Sequence, residues 1–184
     1  MRLGAPWRYR LGAACAGLAL ACASAAQTRV ATEAELKAAF IYRIALFVEW
    51  PAESLPAGAP FQTCVLGSDA AWAAAFATIE GKKVQGHAVG PVRQLARAEE
   101  ARGCHVVFSP ERESRRAAVV PAGVLTVGDG EGFAQSGGAI GFVREGAQLR
   151  FDINRDAAAR AQLRMPVELL KVARNVIDSG GAKP

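Results

Sequence analysis

The 184-residue sequence has only two histidines, His87 and His105, and four cysteines. That scarcity limits the chemistry available to it. His105 follows Cys104 in the apolar run Cys104-His105-Val106-Val107-Phe108, which reads as a strand. Adjacent strand side chains point to opposite faces, so Cys104 and His105 do not make a nucleophile–base pair. A metal site drawn from His87, Cys64 and Cys104 would need reduced thiols. No metal and no cofactor are expected. Ser136 lies in Ala134-Gln135-Ser136-Gly137-Gly138, whereas a nucleophile elbow needs glycine two residues before the serine. No catalytic constellation is present, and an enzyme is not expected.

Other motifs are incomplete. Gly128-Asp129-Gly130-Glu131-Gly132 lacks the dinucleotide spacing, and no Lys-Ser/Thr follows it. Asp129 and Glu131 would also repel a phosphate. The stretch reads as a turn whose glycines take positive φ. The acids Glu99-Glu100 and Glu111 with Glu113 sit among arginines and read as solvated helix faces. No run of Lys or Arg with interleaved aromatics suggests nucleic acid. Internal repeats and low-complexity tracts are absent.

Apolar residues 11–23 follow a basic stub containing Arg2, Arg8 and Arg10 and precede Ala23-Ser24-Ala25-Ala26-Gln27. These are the three parts of a secretory signal. The run is about a dozen residues, short of the roughly 20 that cross a bilayer. The expected division is a cleaved signal over 1–26 and one domain over 27–184, placed in the periplasm. Without a twin-arginine pair, export of the unfolded chain is expected. Two alternatives are an uncleaved anchor and a lipid on Cys22, which follows Ala19-Leu20-Ala21.

Removing the signal changes the composition. Basic residues fall from 22 to 19 against 17 acids, so the net charge drops from +5 to about +2. Cys15 and Cys22 leave with it, and Cys64 and Cys104 remain. Two thiols in an oxidising compartment commonly pair. Closing that loop would stabilise the fold by about 4 kcal/mol. The residues alone leave open two buried free thiols.

Periodicity and caps predict helices over 32–50, 70–79, 94–102, 111–120, 154–163 and 166–177. Thr32 with Glu35 forms a capping box, and Pro51 ends the first helix. In the last, Val167, Leu170, Val172, Ala173 and Val176 are assigned to the buried side. Strands are predicted over 61–67, 84–92, 104–108 and 124–128, with a hairpin over 139–144 and 148–153. The fold class is α/β: one domain with a mixed sheet of about five to six strands flanked by helices and one intrachain disulfide.

Several stretches together resemble the YfiR family of periplasmic regulators. They are Lys37-Ala38-Ala39-Phe40-Ile41-Tyr42, Phe47-Val48-Glu49-Trp50-Pro51, Cys64-Val65-Leu66-Gly67 and Gly81-Lys82-Lys83-Val84. Cys104 to Phe108, Val124-Leu125-Thr126-Val127-Gly128-Asp129, Gly132-Phe133-Ala134, Gly137-Gly138-Ala139-Ile140 and Arg150-Phe151-Asp152-Ile153-Asn154 complete the set. Their order and spacing cover nearly all of the chain after the signal. The resemblance implies a protein that restrains an inner-membrane diguanylate cyclase by binding its periplasmic part. A YfiB-like outer-membrane lipoprotein would relieve that restraint. The output would be cyclic diguanylate, and hence biofilm. It also implies that Cys64 and Cys104 are the family's central disulfide. A second pair known in some relatives has no counterpart, since residues 129–154 contain no cysteine. A homodimer is a weaker implication.

A regulator of this kind acts by differential affinity for partners. Two candidate contact faces are the exposed edge of the 139–153 hairpin and the surface of the first helix. The alternative function is a small-ligand-binding sensory module that serves another membrane sensor, such as a histidine kinase. It expects a pocket near residues 128–138.

Overall fold

Thr32 starts the first helix, α1 (Glu33–Ala45), through a capping box. Its hydroxyl accepts from the Glu35 N–H at 3.2 Å, and the Glu35 carboxylate accepts from the Thr32 N–H at 2.8 Å. The structure is a computed structural model that describes residues 30–116 and 120–178. The signal, Cys22 and the cleavage site lie outside the described residues. α1 stops at Ala45 instead of continuing to Pro51. Glu49 then leaves the helix direction and exchanges backbone hydrogen bonds of 3.0 and 3.1 Å with Arg164.

After α1 come β1 (Thr63–Leu66) and α2 (Ala70–Ala77), the latter capped by Asp69. The interrupted strand expected over 84–92 is a small hairpin, β2 (Lys83–Val84) with β3 (His87–Ala88). Gln85 and Gly86 turn it with φ of 49° and 88°, the positive values a two-residue type I′ turn requires. The helix expected over 94–102 opens instead as β4 (Arg93–Leu95), followed by a 3-10 turn at Ala98–Glu100. β5 (Val106–Ser109), a 3-10 segment (Glu111–Arg116) and β6 (Leu125–Gly128) follow. The long hairpin is β7 (Ile140–Glu145) with β8 (Gln148–Asn154). α3 (Arg155–Arg160) is capped by Asn154, and α4 (Val167–Val172) follows Pro166.

The segment expected to continue as helix to 177 instead ends as β9 (Asn175–Ile177). It adds to β8 in parallel, with Val176 opposite Ile153. Val167 and Val172, assigned to the buried side, are 58% and 59% exposed, and Leu169 is the buried residue of α4. The main sheet therefore has seven strands, ordered β4-β1-β5-β6-β7-β8-β9. Every neighbouring pair is parallel except β7 and β8. The α/β class and mixed sheet hold. β4 and β9 take the strand number above the expected five to six.

α1 and α2 pack on one face of the sheet, while the 3-10 turn at Ala98–Glu100 and Phe133 cover the other, so the central strands β1, β5 and β6 are buried throughout. In β1, Val65 joins the core under α1 and α2, while Cys64 and Leu66 enter a second cluster with Leu95, Val107 and Phe133. That alternation places the two clusters on opposite faces.

Candidate functional site

Cys64 and Cys104 are bonded. β1 and β5 are parallel neighbours, which brings the two Cα atoms to 6.0 Å, within ordinary disulfide range. Both cysteines are buried among Leu66, Leu95, Ala98 and Ala101. His105 projects from the other face and stacks on Phe61 at 5.0 Å. Its Nδ1 accepts from the Gln62 N–H at 2.8 Å, so Nε2 carries the proton and donates to the Ser54 carbonyl, also at 2.8 Å. Burial holds its pKa below the ordinary 6.5. The other histidine, His87, bonds the Ala59 carbonyl through Nδ1. Among the described residues, no group of three or more His, Cys, Asp or Glu could hold a metal.

The glycine-rich stretch differs from the expected turn. Gly132 and Gly137 do take positive φ, at 77° and 101°. Gly128 and Gly138 do not, and their role is close approach. A Cβ at either position would fall against the Phe133 ring, which packs between them. Ser136 is exposed on the same loop, away from either histidine's hydrogen bonds.

Asp129, at the end of β6, meets a residue that sequence reasoning did not single out as a site. Lys37 of α1 is buried, and its Nζ lies 2.6 Å from both Asp129 and Glu33. Arg144 of β7 closes the cluster at 2.5 Å from Glu33. Hydrogen bonds from Lys37 and then Arg144 hold the Glu33 pKa down. Asp129 goes the other way: burial raises its pKa, against the opposing pull of Lys37. The i,i+4 spacing of Glu33 and Lys37 was the available signal for this cluster. The cluster walls a polar cavity of about 310 Å³. A second cavity of about 530 Å³ lies beside Gly67, Asp69, Trp72 and Pro110, and the two share Glu111 and Asp129.

Another concave feature is apolar, a groove of about 460 Å³. α1 contributes Phe40, Arg43 and Ile44, with Phe47 just beyond its end. β8 contributes Leu149, Arg150 and Phe151, and α4 contributes Leu169 and Val172. Phe47 is 50% exposed, and Leu36, one turn before Phe40 on α1, is also exposed. Exposed apolar area of this kind marks a contact surface more often than ordinary exterior. The surface of α1 thus remains a candidate face. The hairpin also keeps part of its edge open, since β6 pairs with β7 only at Ile140 and Gly141, and β9 pairs with β8 only at Asp152–Asn154.

A family model described as YfiR/HmsC-like matches residues 34–174, from the first turn of α1 to the residue before β9. The chain belongs to the YfiR/HmsC-like family. Members of this family are known in general as periplasmic regulators of cyclic diguanylate signalling, a regulatory and non-catalytic role. A "conserved domain protein" from Vibrio cholerae O1 biovar El Tor has a similar solved structure, with a TM-score of 0.51 at 12% identity. The likeness covers 79% of this chain and 60% of that one, and it is a likeness of fold. Among curated proteins, none matches the chain. The residues that carry the YfiR/HmsC-like resemblance turn out to be largely architectural. Asp152 is buried and holds the Arg174 guanidinium through two hydrogen bonds of 2.8 and 2.6 Å. Asn154 caps α3 through Ala157 N–H and donates to the Ala134 carbonyl at 2.7 Å.

Proposed function

We propose that this YfiR/HmsC-like chain is a non-enzymatic repressor of an inner-membrane diguanylate cyclase. It works in the periplasm, where it binds the cyclase's periplasmic part. A YfiB-like outer-membrane lipoprotein relieves the restraint by competing for the regulator. The family match over residues 34–174 carries this reading. The exposed apolar groove beside α1 supports it, because a domain that acts by binding needs such a surface. Deleting the gene should raise cellular cyclic diguanylate and promote aggregation, measured by nucleotide extraction and sedimentation. Unchanged nucleotide levels across several growth conditions would count against the cyclase reading.

One observation favours the second reading, a small-ligand sensory module. The two cavities that meet at Glu111 and Asp129 lie outside the carboxyl ends of β1, β5 and β6. The chain leaves β1 for β4 on one side and returns to β5 on the other. Ligands of open parallel sheets collect at such switch points. A ligand-dependent rise in melting temperature, with cyclic diguanylate unaffected by deletion, would favour this module over the repressor.

A further inference from the structure

We infer that the groove between α1, β8 and α4 is a receptor for an amphipathic α-helix that carries acidic residues beside its apolar stripe. The inference deepens the repressor reading and rests on it for the identity of the partner. Three features of the groove define the occupant. Its lining is apolar except for Arg43 and Arg150, and it includes no acid. Neither arginine has a hydrogen-bond or ion-pair partner among the described residues. A ligand that supplies carboxylates would pair with them, and one that supplies cations would be repelled.

The second feature is the state of the backbone around the groove. β8 pairs with β7 along its whole length and with β9 at Asp152–Asn154, and Arg174 N–H donates to the Phe151 carbonyl, so only the short Gln148–Arg150 end of that edge is unpaired. α1 satisfies its own backbone. An extended peptide laid in this groove would find only that short end of β8 to pair with and would leave most of its own backbone unpaired against an apolar wall. A helix brings its backbone already paired and presents only side chains. The third feature is the exposure of the groove. Phe47 is 50% exposed and Val172 59%, and Leu36, one turn before Phe40 on α1, is 43% exposed. A single acyl chain in the groove would leave these wet, whereas a helix lying along α1 covers them.

Self-association fits less well. An isologous contact brings the same patch against itself, so each Arg43 and Arg150 would approach its own counterparts with no acid in the lining to separate them. A bilayer is flat where this surface is concave.

The test uses the purified full chain and two synthetic peptides of about 18 residues, long enough to form a helix when bound. Both carry the same leucine stripe. One is flanked by glutamate and the other by lysine. Fluorescence anisotropy should show the glutamate peptide binding at least about 10-fold more tightly. Arg43→Glu should reverse the preference, and Phe47→Asp should abolish binding of both. Both positions are exposed, so circular-dichroism melting should match the unaltered chain. Equal binding of the two peptides, or binding of neither, overturns the proposal. So does concentration-dependent dimerisation lost in Phe47→Asp without peptide binding, which would assign the groove to a second copy. Binding to phosphatidylglycerol vesicles that is lost in Phe47→Asp, without peptide preference, would assign it to a lipid surface. Selective peptide binding with cyclic diguanylate unaltered by gene deletion would leave the groove standing and remove the cyclase. Raised cyclic diguanylate on deletion with no peptide binding would do the reverse.

Discussion

His105 uses both ring nitrogens on backbone groups, Gln62 N–H and Ser54 O, while its ring stacks on Phe61. Its own carbonyl accepts from the Trp50 indole at 3.3 Å. Protonation would put a second N–H where Gln62 already points one, and burial disfavours the charge as well. The folded pKa is therefore below the unfolded value of 6.5. The unfolded chain binds the proton more readily, so this residue's contribution is present above that value and lost as pH falls below it. The slope reaches at most about 1.4 kcal/mol per pH unit. Urea unfolding compared between about pH 7.5 and 5.5 should show this loss, and His105→Gln should flatten it relative to the unaltered chain. An equal slope in both would show that His105 is not the titrating group. The sequence showed a histidine on a strand next to cysteine and so excluded a catalytic pair. It did not show which carbonyl the ring would meet, because Ser54 is distant along the chain.

At the scale of elements, the readings that held were those with a local physical signature. The capping box at Thr32 and Glu35, the helix start at Asn154 and the long hairpin all appear where caps and alternation placed them. The readings that shifted include the end of the first helix, the segment 84–92 and two three-residue strands. β4 and β9 are too short to show a period, and their residues suit a helix equally well. They are strands because β1 and β8 leave unpaired backbone at the sheet edge, and pairing satisfies it. β9 is further tied by Arg174, one residue before it, to buried Asp152. Arg174→Leu should leave that carboxylate without its cation and loosen the edge. The expected result is a lower urea midpoint and amide exchange at Val176 and Ile177 at least about tenfold faster. Unchanged exchange there would mean that the strand is held by its backbone ladder alone.

For the whole molecule, the disulfide joins adjacent strands of the sheet across 40 residues. It is buried, with Arg93 Nη1 3.9 Å from Cys104 Sγ as the polar group beside it, and that burial suits a structural bond. Cys64→Ser or Cys104→Ser should lower unfolding free energy by about 2–4 kcal/mol and reduce abundance, measured by urea unfolding and immunoblot. A serine variant that keeps full stability would instead point to a regulatory thiol. Residues 34–174, which carry the family match, span both the apolar groove and the polar cavities. The described residues therefore include two concave surfaces of different chemistry, one apolar and one polar and charged.

The sequence by itself determined the α/β class, the main helix caps and the family, and through the family the cysteine pair, since each rests on local spacing or on the order of motifs. Only the tertiary structure decided the seven-strand order, the close packing of Gly128 and Gly138 on Phe133, the Lys37–Asp129 pair and the groove beside α1. Each of these depends on residues far apart in the chain. Their meeting is set by how the sheet stacks against its helices, and no local pattern of side chains encodes that distance.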